Sequence, residues 1–235
     1  MKTILLPGTT HQIKFLFDNL KTKLEQILVI GAGSENIASE ISKHYNTKVN
    51  LIVDDYESFI TSRLQLGNTP EVNAILMDYE NTDFNDNQFD LIYAQASISL
   101  TNRNKIVKEI KRILKPAGYV CAGELVSLKK ETPKFMQDIY DSSNLLPLFI
   151  EDLEKYYIER NFKVIEKNDL SDTLKDYYST AIEKLKSAKE KLDEQEKAYY
   201  KKVINRFSHE SNAYLKLGGN KYLGFFVLLL QKGEN

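Results

Sequence analysis

The sequence contains few residues of several kinds, and each shortage narrows the class of protein. Cys121 is the only cysteine in 235 residues, which excludes an internal disulfide framework and a cysteine-based zinc site. The longest apolar run near the C-terminus, Leu223 to Leu230, is far below membrane-spanning length. The apolar part of the N-terminus is too short for a signal peptide. We therefore expect a cytoplasmic protein without membrane insertion.

Neither sign of charge is in excess, since 32 basic side chains face 33 acidic ones for a net charge of -1. Such a chain has no global attraction to nucleic acid. The three histidines, His11, His44 and His209, are widely separated and lack the His-x-x-x-His spacing of a metal site. No Gly-x-Ser-x-Gly elbow is present, so hydrolase chemistry is a poor prediction. We expect a small-molecule substrate, no nucleic acid and no metal, and the sequence leaves a homodimer open.

The most informative feature of the sequence is the stretch from Ile27 to Glu35, which reads Ile-Leu-Val-Ile-Gly-Ala-Gly-Ser-Glu. It predicts a buried strand that enters a tight glycine turn and then a helix. Glycines at such a turn let the backbone approach a polar ligand, and the helix N-terminus supplies free N–H groups. About 20 residues later a second apolar run ends in Asp54, where a nucleotide-binding fold places its ribose-binding acid.

The first 125 residues or so alternate between strand-like and helix-like patterns, which predicts a parallel sheet covered by helices on both faces. The predicted strands are 26–30, 49–53, 74–77, 91–94 and 119–124, and the predicted helices are 36–44, 56–66 and 105–114. A further helix through Leu20 is capped by Thr9 or Thr10, and residues 3–6 are a candidate extra strand.

The second half of the chain has a different pattern. A helix is predicted over 151–160 and a sixth strand over 162–165. Residues 171–215 are helical and charged, with an apolar stripe, and a final strand follows over 222–231. We therefore divide the chain into an N-terminal cap segment (1–25), a core (26–170), a helical insertion or cap (171–218) and a final core strand (219–235). The stripe includes Leu174, Tyr178, Ile182, Leu185, Ala188 and Leu192, continued by Tyr199, Val203 and Phe207.

Five partial motifs in order resemble those of the class I S-adenosylmethionine-dependent methyltransferases. They are Val29–Ser34, the acid Asp54, Met77-Asp78-Tyr79-Glu80-Asn81, Asn87-Gln88-Phe89-Asp90-Leu91-Ile92 and Arg112-Ile113-Leu114-Lys115-Pro116-Ala117-Gly118. The resemblance implies an α/β fold with a Rossmann-like seven-stranded, mostly parallel sheet, an antiparallel C-terminal strand and a helical cap between the sixth and seventh strands. It also implies transfer of a methyl group from S-adenosyl-L-methionine, leaving S-adenosyl-L-homocysteine, to an amine, phenol or quinone-like acceptor.

The resemblance assigns the cofactor-binding residues. Gly31, Ala32 and Gly33 surround the methionine part, and Asp54 binds the ribose hydroxyls. Asp78 and Tyr79 meet the adenine. A plain alternative exists for each assignment: glycines that serve only the turn, and acids that cap helices or loops. Gln95 is a further candidate, because it follows the fourth strand at the edge where open α/β sheets bind ligands.

Two positions depart from the family pattern. Val29 stands where the family commonly has an acid, and Glu35 stands where it usually has a third glycine. Either Glu35 takes a polar role, such as meeting the cofactor ammonium, or cofactor binding is weakened. The departures support an alternative function, a catalytically inactive binding or scaffolding protein. An NAD-dependent oxidoreductase shares the glycine turn and the acid but fits the later motifs poorly.

The sequence offers few candidates for catalysis. Methyl transfer by in-line displacement needs orientation and a dry cavity more than a covalent nucleophile. His11 and His209 are the candidate general bases, since both lie in segments that are able to cover the substrate. Tyr140 and Tyr178 are the candidate substrate-binding residues, as parts of an aromatic cage for an amine.

Overall fold

The computed structural model describes residues 5–191 and 193–234, folded around one mixed sheet. Its strand order is β3-β2-β1-β4-β5-β8-β7, and a short β6 pairs with β5 beside this path. The strands β1 to β5 are parallel to one another, whereas β8 is antiparallel to both β5 and β7. The predicted α/β class and the antiparallel C-terminal strand are thereby confirmed.

The strands are β1 (Ile27–Ile30), β2 (Val49–Val53), β3 (Val72–Leu76), β4 (Phe89–Gln95), β5 (Leu114–Ser127), β6 (Leu148–Phe149), β7 (Phe162–Asp169) and β8 (Leu223–Lys232). The helices are α1 (His11–Asn19), α2 (Glu35–Tyr45), α3 (Tyr56–Leu66), α4 (Arg103–Ile113), α5 (Lys134–Ser142), α6 (Leu153–Ile158), α7 (Thr173–Lys191) and α8 (Glu194–Lys216). One short 3-10 turn precedes α6 and another precedes β8.

The sheet is buried on both faces, which explains why its central strands read as unbroken apolar runs. Every residue of β1 is buried. Val29 belongs to a core shared with α1, α2, α5, α7 and α8, whereas Leu28 and Ile30 belong to a second core under α4 and α6. The strand order reverses between β1 and β4, and this switch point opens a crevice at the carboxyl ends of the strands.

Several predicted elements differ from the observed ones. The sheet has eight strands rather than seven, because β6, two residues long, pairs with β5. Residues 5 and 6 form no strand, and residues 3 and 4 of the predicted N-terminal strand lie outside the described residues. The prediction missed α5, and the helix predicted over 151–160 is confined to a 3-10 turn and the short α6.

The predicted helical stretch after residue 171 is two helices. Asp193 begins α8 with a capping box, in which its side chain accepts from the backbone N–H of Glu196 and the Glu196 side chain returns the bond. The predicted apolar stripe is only partly internal: Tyr178 is fully buried, but Tyr199 is 72% exposed and Val203 51% exposed. The side chain of Ala188, and Leu192, lie outside the described residues.

No helix within the described ranges combines the length and the apolar character that a bilayer crossing requires. The same residues contain no group of three or more His, Cys, Asp or Glu side chains arranged to hold a metal ion.

Candidate functional site

The glycine turn after β1 has the backbone that its sequence predicts. Gly31 and Gly33 have φ of 124° and 79°, which L side chains rarely adopt. A Cβ atom on Gly31 would lie 3.0 Å from the Cβ of Ser97, because the loop after β4 passes close by. The Ser97 hydroxyl donates to the carbonyl of Ile30 at 2.8 Å. Gly31 therefore serves the turn and its neighbouring loop as well as any ligand.

Ser34 lies at the start of α2, directly after this turn, and is fully buried. Its hydroxyl does not cap the helix. Within residues 5–191 and 193–234 it has no hydrogen-bond partner at all. Buried polar atoms normally find a partner. An unpartnered hydroxyl beside a bare glycine backbone and a helix N-terminus is the arrangement expected of a site that binds a polar ligand.

Asp54 follows β2 and stands beside Tyr79, which follows β3. The Tyr79 side chain is close enough to Asp54 for each group to shift the pKa of the other. Partial burial raises the pKa of Asp54 above its ordinary value, and the charges of Asp55 and Asp78 add to this effect. Burial, followed by the charge of Asp54, raises the pKa of Tyr79, so this phenol keeps its proton. The Asp54 carboxylate offers acceptor positions for a ligand.

Asp55 and Asp78 have local structural roles. Asp55 caps α3, since its side chain accepts from the backbone N–H of Ser58 at 2.8 Å. Asp78 is exposed, and its carboxylate accepts from the backbone N–H of Glu80 at 2.8 Å. Of the two residues predicted to meet adenine, Tyr79 therefore lines the crevice described below and Asp78 does not.

Gln95 ends β4 and is buried. Its amide nitrogen donates to the carbonyls of Pro7 at 2.6 Å and Thr9 at 3.0 Å, and its oxygen accepts from the Tyr93 hydroxyl at 2.6 Å. The polar atoms of this side chain are thus occupied by the protein. They tie the N-terminal segment over the strand tips.

One cavity of about 430 Å³ joins these features to the helical cap. This size is within the usual range of small-molecule sites. Its strand-tip end contains Gly31, Ala32, Asp54, Tyr79 and Gln95, five of the predicted cofactor-binding residues. Leu6, Pro7, Ala96 and Ser97 lie beside these residues, and the rest of the lining is Leu100, Leu125, Ser143, Leu145, Tyr177, Leu185, Val203, Arg206, Phe207 and Glu210. Gly33 instead lines a neighbouring cavity of about 500 Å³ between α3 and α8.

The cap end of the cavity contains one carboxylate that is fixed by two hydroxyls. Glu210 on α8 accepts from the Tyr178 hydroxyl at 2.7 Å and from the Ser143 hydroxyl at 3.1 Å. Burial, followed by the charge of Glu210, raises the pKa of Tyr178 well above its usual range. Tyr177 and Phe207 stand beside this group, with ring centroids 6.1 Å apart in an edge-to-face arrangement.

The structure does not bring the predicted catalytic and substrate-binding residues to the cavity wall. His11 and His209 are both exposed and absent from the lining, because His11 begins α1 and His209 points away from the face of α8 that carries Glu210. Tyr140 and Tyr178 are buried behind the wall. Tyr178 meets the cavity only through Glu210, whereas its neighbour Tyr177 lines it directly.

The two positions that depart from the family pattern leave the crevice open. Glu35 is buried, and its carboxylate accepts from the Ser62 hydroxyl of α3 at 2.5 Å. It lines the neighbouring cavity and is absent from the one that holds Asp54. Val29 is fully buried in the core between β2 and β4. Glu35 therefore takes a polar role towards Ser62 and does not line the cavity in which it was expected to meet the cofactor ammonium.

Glu124, at the carboxyl end of β5, belongs to a buried ionic network. Its carboxylate accepts from the hydroxyls of Ser99 and Tyr157, both at 2.5 Å, and from the guanidinium of Arg103 at 3.1 Å. Arg103 also donates to the carbonyl of Leu146 at 2.6 Å. The network fixes β5, α4 and α6 behind the cavity and takes no place in its lining.

Sequence reasoning missed most of the wall of the cavity. Ala96 adopts a φ of 59°, a conformation that its residue type does not signal. Ser143 and Leu145 follow α5, a helix that was not predicted. Glu210 is one of many charged residues in a charged segment. Only the apolar stripe, which included Leu185, Val203 and Phe207 of this wall, indicated that α7 and α8 face something apolar.

The residues at the strand-tip end fit S-adenosylmethionine. The glycine backbone and the orphaned Ser34 hydroxyl suit the polar methionine part. Asp54 has free acceptor positions for a ribose hydroxyl. Tyr79 lies next to Asp54, where the adenine side of such a site begins.

Comparison with known proteins agrees with this geometry. Residues 28–122 match the family described as a methyltransferase domain. Over 150 residues the chain is 27% identical to the ubiquinone/menaquinone biosynthesis C-methyltransferase UbiE of Cupriavidus metallidurans. The alignment covers 61% of each of the two chains, which is less than two thirds of the relative's own length.

Two solved structures share the fold. The [4+2]-cyclase SpnF superposes with a TM-score of 0.76 at 16% identity, over 96% of this chain and 81% of its own. Phosphoethanolamine N-methyltransferase 2 of Haemonchus contortus, in complex with phosphomonomethylethanolamine and S-adenosylhomocysteine, superposes with a TM-score of 0.77 at 15% identity, over 95% of this chain and 53% of its own. The likeness shows the shared Rossmann-like fold.

Proposed function

We propose that this chain is an S-adenosylmethionine-dependent methyltransferase that methylates a small molecule held between the strand tips and the α7–α8 cap. One observation carries the proposal. A single cavity contains the glycine turn, Asp54 and Tyr79 at one end and cap side chains at the other. A donor and an acceptor that occupied these two ends would share one cavity.

S-adenosylmethionine, when bound, supplies an electrophilic methyl group on a sulfonium. The residues of the chain would bind and orient it. The backbone at Gly31 and Ala32 would hold the polar tail, and Asp54 would accept from the ribose. The N-terminal segment, fixed by Gln95, would cover the bound cofactor.

The cap would contribute positioning and exclusion of water. Leu100, Leu125, Leu145, Tyr177 and Phe207 form an apolar wall at the acceptor end. Holding two reactants together in such a space is worth about 7–11 kcal/mol of barrier when they are well oriented. Such a contribution from orientation suits a cavity whose lining contains no histidine to act as a general base.

The nature of the acceptor is suggested by the relatives. UbiE is a ubiquinone/menaquinone biosynthesis C-methyltransferase, and the Haemonchus contortus enzyme is an N-methyltransferase of a small amine. The same fold also occurs in a protein described as a cyclase, so the fold does not by itself decide the reaction.

The test has two stages. Calorimetry with S-adenosylhomocysteine should give one-to-one binding, and the same ligand, but not NADH, should raise the thermal midpoint. Formation of S-adenosylhomocysteine from S-adenosylmethionine is then followed with amine, phenol and hydroquinone acceptors. Absence of heat with both the methyl donor and its product would refute the proposal. Binding without turnover on any acceptor class would support the alternative, a non-catalytic binding protein.

A further inference from the structure

The acceptor end of the cavity contains a carboxylate with no cationic partner. Glu210 is partly buried and lines the wall, and no Lys, Arg or His among the side chains that the structure describes forms an ion pair with it. Its two hydrogen bonds come from neutral hydroxyls, those of Tyr178 and Ser143. These donors orient the carboxylate but leave its negative charge uncompensated.

The carboxylate also keeps acceptor positions for a ligand. Each carboxylate oxygen has two lone-pair positions, and each Glu210 oxygen uses one for its hydroxyl donor. The three elements that meet here, α5, α7 and α8, therefore hold the group at a fixed place on the wall. A rigid acceptor of this kind discriminates between ligands better than a mobile one.

The surroundings of Glu210 favour a cation over a neutral donor. Tyr177 and Phe207 lie on the same wall, and aromatic rings attract ammonium groups. A negative charge in a largely apolar wall is stabilised most by a positive charge on the ligand. The other charged groups that line the cavity are Asp54, at the opposite end, and Arg206, one turn earlier on α8.

We propose that the acceptor carries an ammonium group that Glu210 binds between Tyr177 and Phe207. The inference rests on the proposed methyltransferase function, because it concerns the acceptor end of the same cavity. It concerns recognition and does not specify which atom of the acceptor is methylated. Arg206 is exposed and has no hydrogen-bond or ion-pair partner within the described residues, so its positive charge acts against this binding only through space.

The experiment compares two probes of the same shape with the full-length chain. Phenethylamine is a cation at pH 7, and 2-phenylethanol is its neutral counterpart. Each is titrated by calorimetry with and without saturating S-adenosylhomocysteine. We expect phenethylamine to bind at least about tenfold tighter, which corresponds to one charge-assisted hydrogen bond.

Two variants and a control assign the preference to the carboxylate. E210Q keeps the shape and an acceptor for the Tyr178 hydroxyl but loses the charge, and should reduce the preference to less than about threefold. E183Q makes the same change at an exposed position of α7 outside the cavity and should keep the full preference. R206Q removes the opposing charge and should strengthen phenethylamine binding while 2-phenylethanol is unaffected.

The outcomes are distinct. Equal binding of the two probes, or a preference that survives in E210Q, would overturn the ammonium assignment. So would 2-methylhydroquinone if it bound more tightly than phenethylamine and lost affinity in E210Q. If E210Q loses its thermal transition because the cap needs the carboxylate, the R206Q variant decides. Stronger phenethylamine binding by R206Q supports the assignment, and unchanged or weaker binding overturns it. Failure of S-adenosylhomocysteine to bind refutes the methyltransferase proposal separately, since the probes are also titrated without it.

Discussion

Replacement of Asp54 tests the cofactor site most directly. The carboxylate lies at the exposed end of β2 beside Tyr79, and it lines the same cavity as Gly31 and Ala32. In D54N the side chain keeps its shape but loses the charge that strengthens the hydrogen bonds from a ribose. Such bonds contribute about 1.5–3 kcal/mol each when one partner is charged.

The expected loss follows from how exposed this group is. Solvent reaches Asp54 and weakens its hydrogen bonds. We therefore expect D54N to lose about 2–3 kcal/mol of binding free energy, equivalent to one such bond or two weakened ones. This corresponds to an affinity for S-adenosylhomocysteine reduced by about 30–150-fold. Calorimetry measures it, and circular dichroism checks that the variant is folded.

The adjacent residue provides a matched control. D55N makes the same chemical change one position along, and asparagine caps a helix as well as aspartate does, so α3 should keep its cap. D55N should bind S-adenosylhomocysteine within about threefold of the unmodified chain. If D54N also bound within threefold, or if both variants lost affinity equally, Asp54 would not be a ligand-binding acid and the cofactor assignment would be wrong.

Three further predictions concern the pH dependence of binding, the N-terminal lock and the buried network. Burial raises the pKa of Asp54, and the ribose favours its charged form. As the pH is lowered, affinity for S-adenosylhomocysteine should therefore begin to fall at a higher pH than it would for an ordinary aspartate. The affinity of D54N for S-adenosylhomocysteine should depend less on pH. Q95L should reduce that affinity by about tenfold while leaving Asp54 in place, because it frees the N-terminal segment, and unchanged affinity would contradict the lock. E124Q should lower the free energy of unfolding, measured in urea, by about 3–5 kcal/mol, because Arg103 stays buried without its counter-charge. The double variant R103M/E124L should recover much of this loss. Equal stability of E124Q and the unmodified chain would contradict this role of the ion pair.

A final prediction concerns Ala117, near the start of β5. Its φ is 57°. This left-handed conformation strains any residue with a Cβ atom. A117G should therefore raise the free energy of unfolding by about 0.5–1 kcal/mol, the strain relieved minus the entropy that glycine adds to the unfolded chain. A lower thermal midpoint in A117G would show that the strain is absent.

The sequence by itself determined the features that depend on local backbone chemistry and on burial. The apolar runs at 27–30 and 49–53 are strands because both faces of a parallel sheet are covered, and the helix over 56–66 has the predicted bounds. The glycine turn was equally readable, since positive φ at Gly31 and Gly33 is a property of the residues themselves. Asp54 follows from its position at the end of a strand.

The tertiary structure alone decided what closes the site. Gln95 looked like a ligand-binding residue, but its amide is satisfied by the N-terminal segment, some 86 residues away in the sequence. Glu210 looked like one solvated charge among many, but Tyr178 of α7 and Ser143, directly after α5, fix it in the cavity wall. Such roles depend on contacts between distant segments, and local patterns of hydrophobicity and propensity do not encode which partners a polar side chain will find. The strand tips could therefore be predicted, whereas the acceptor end could not.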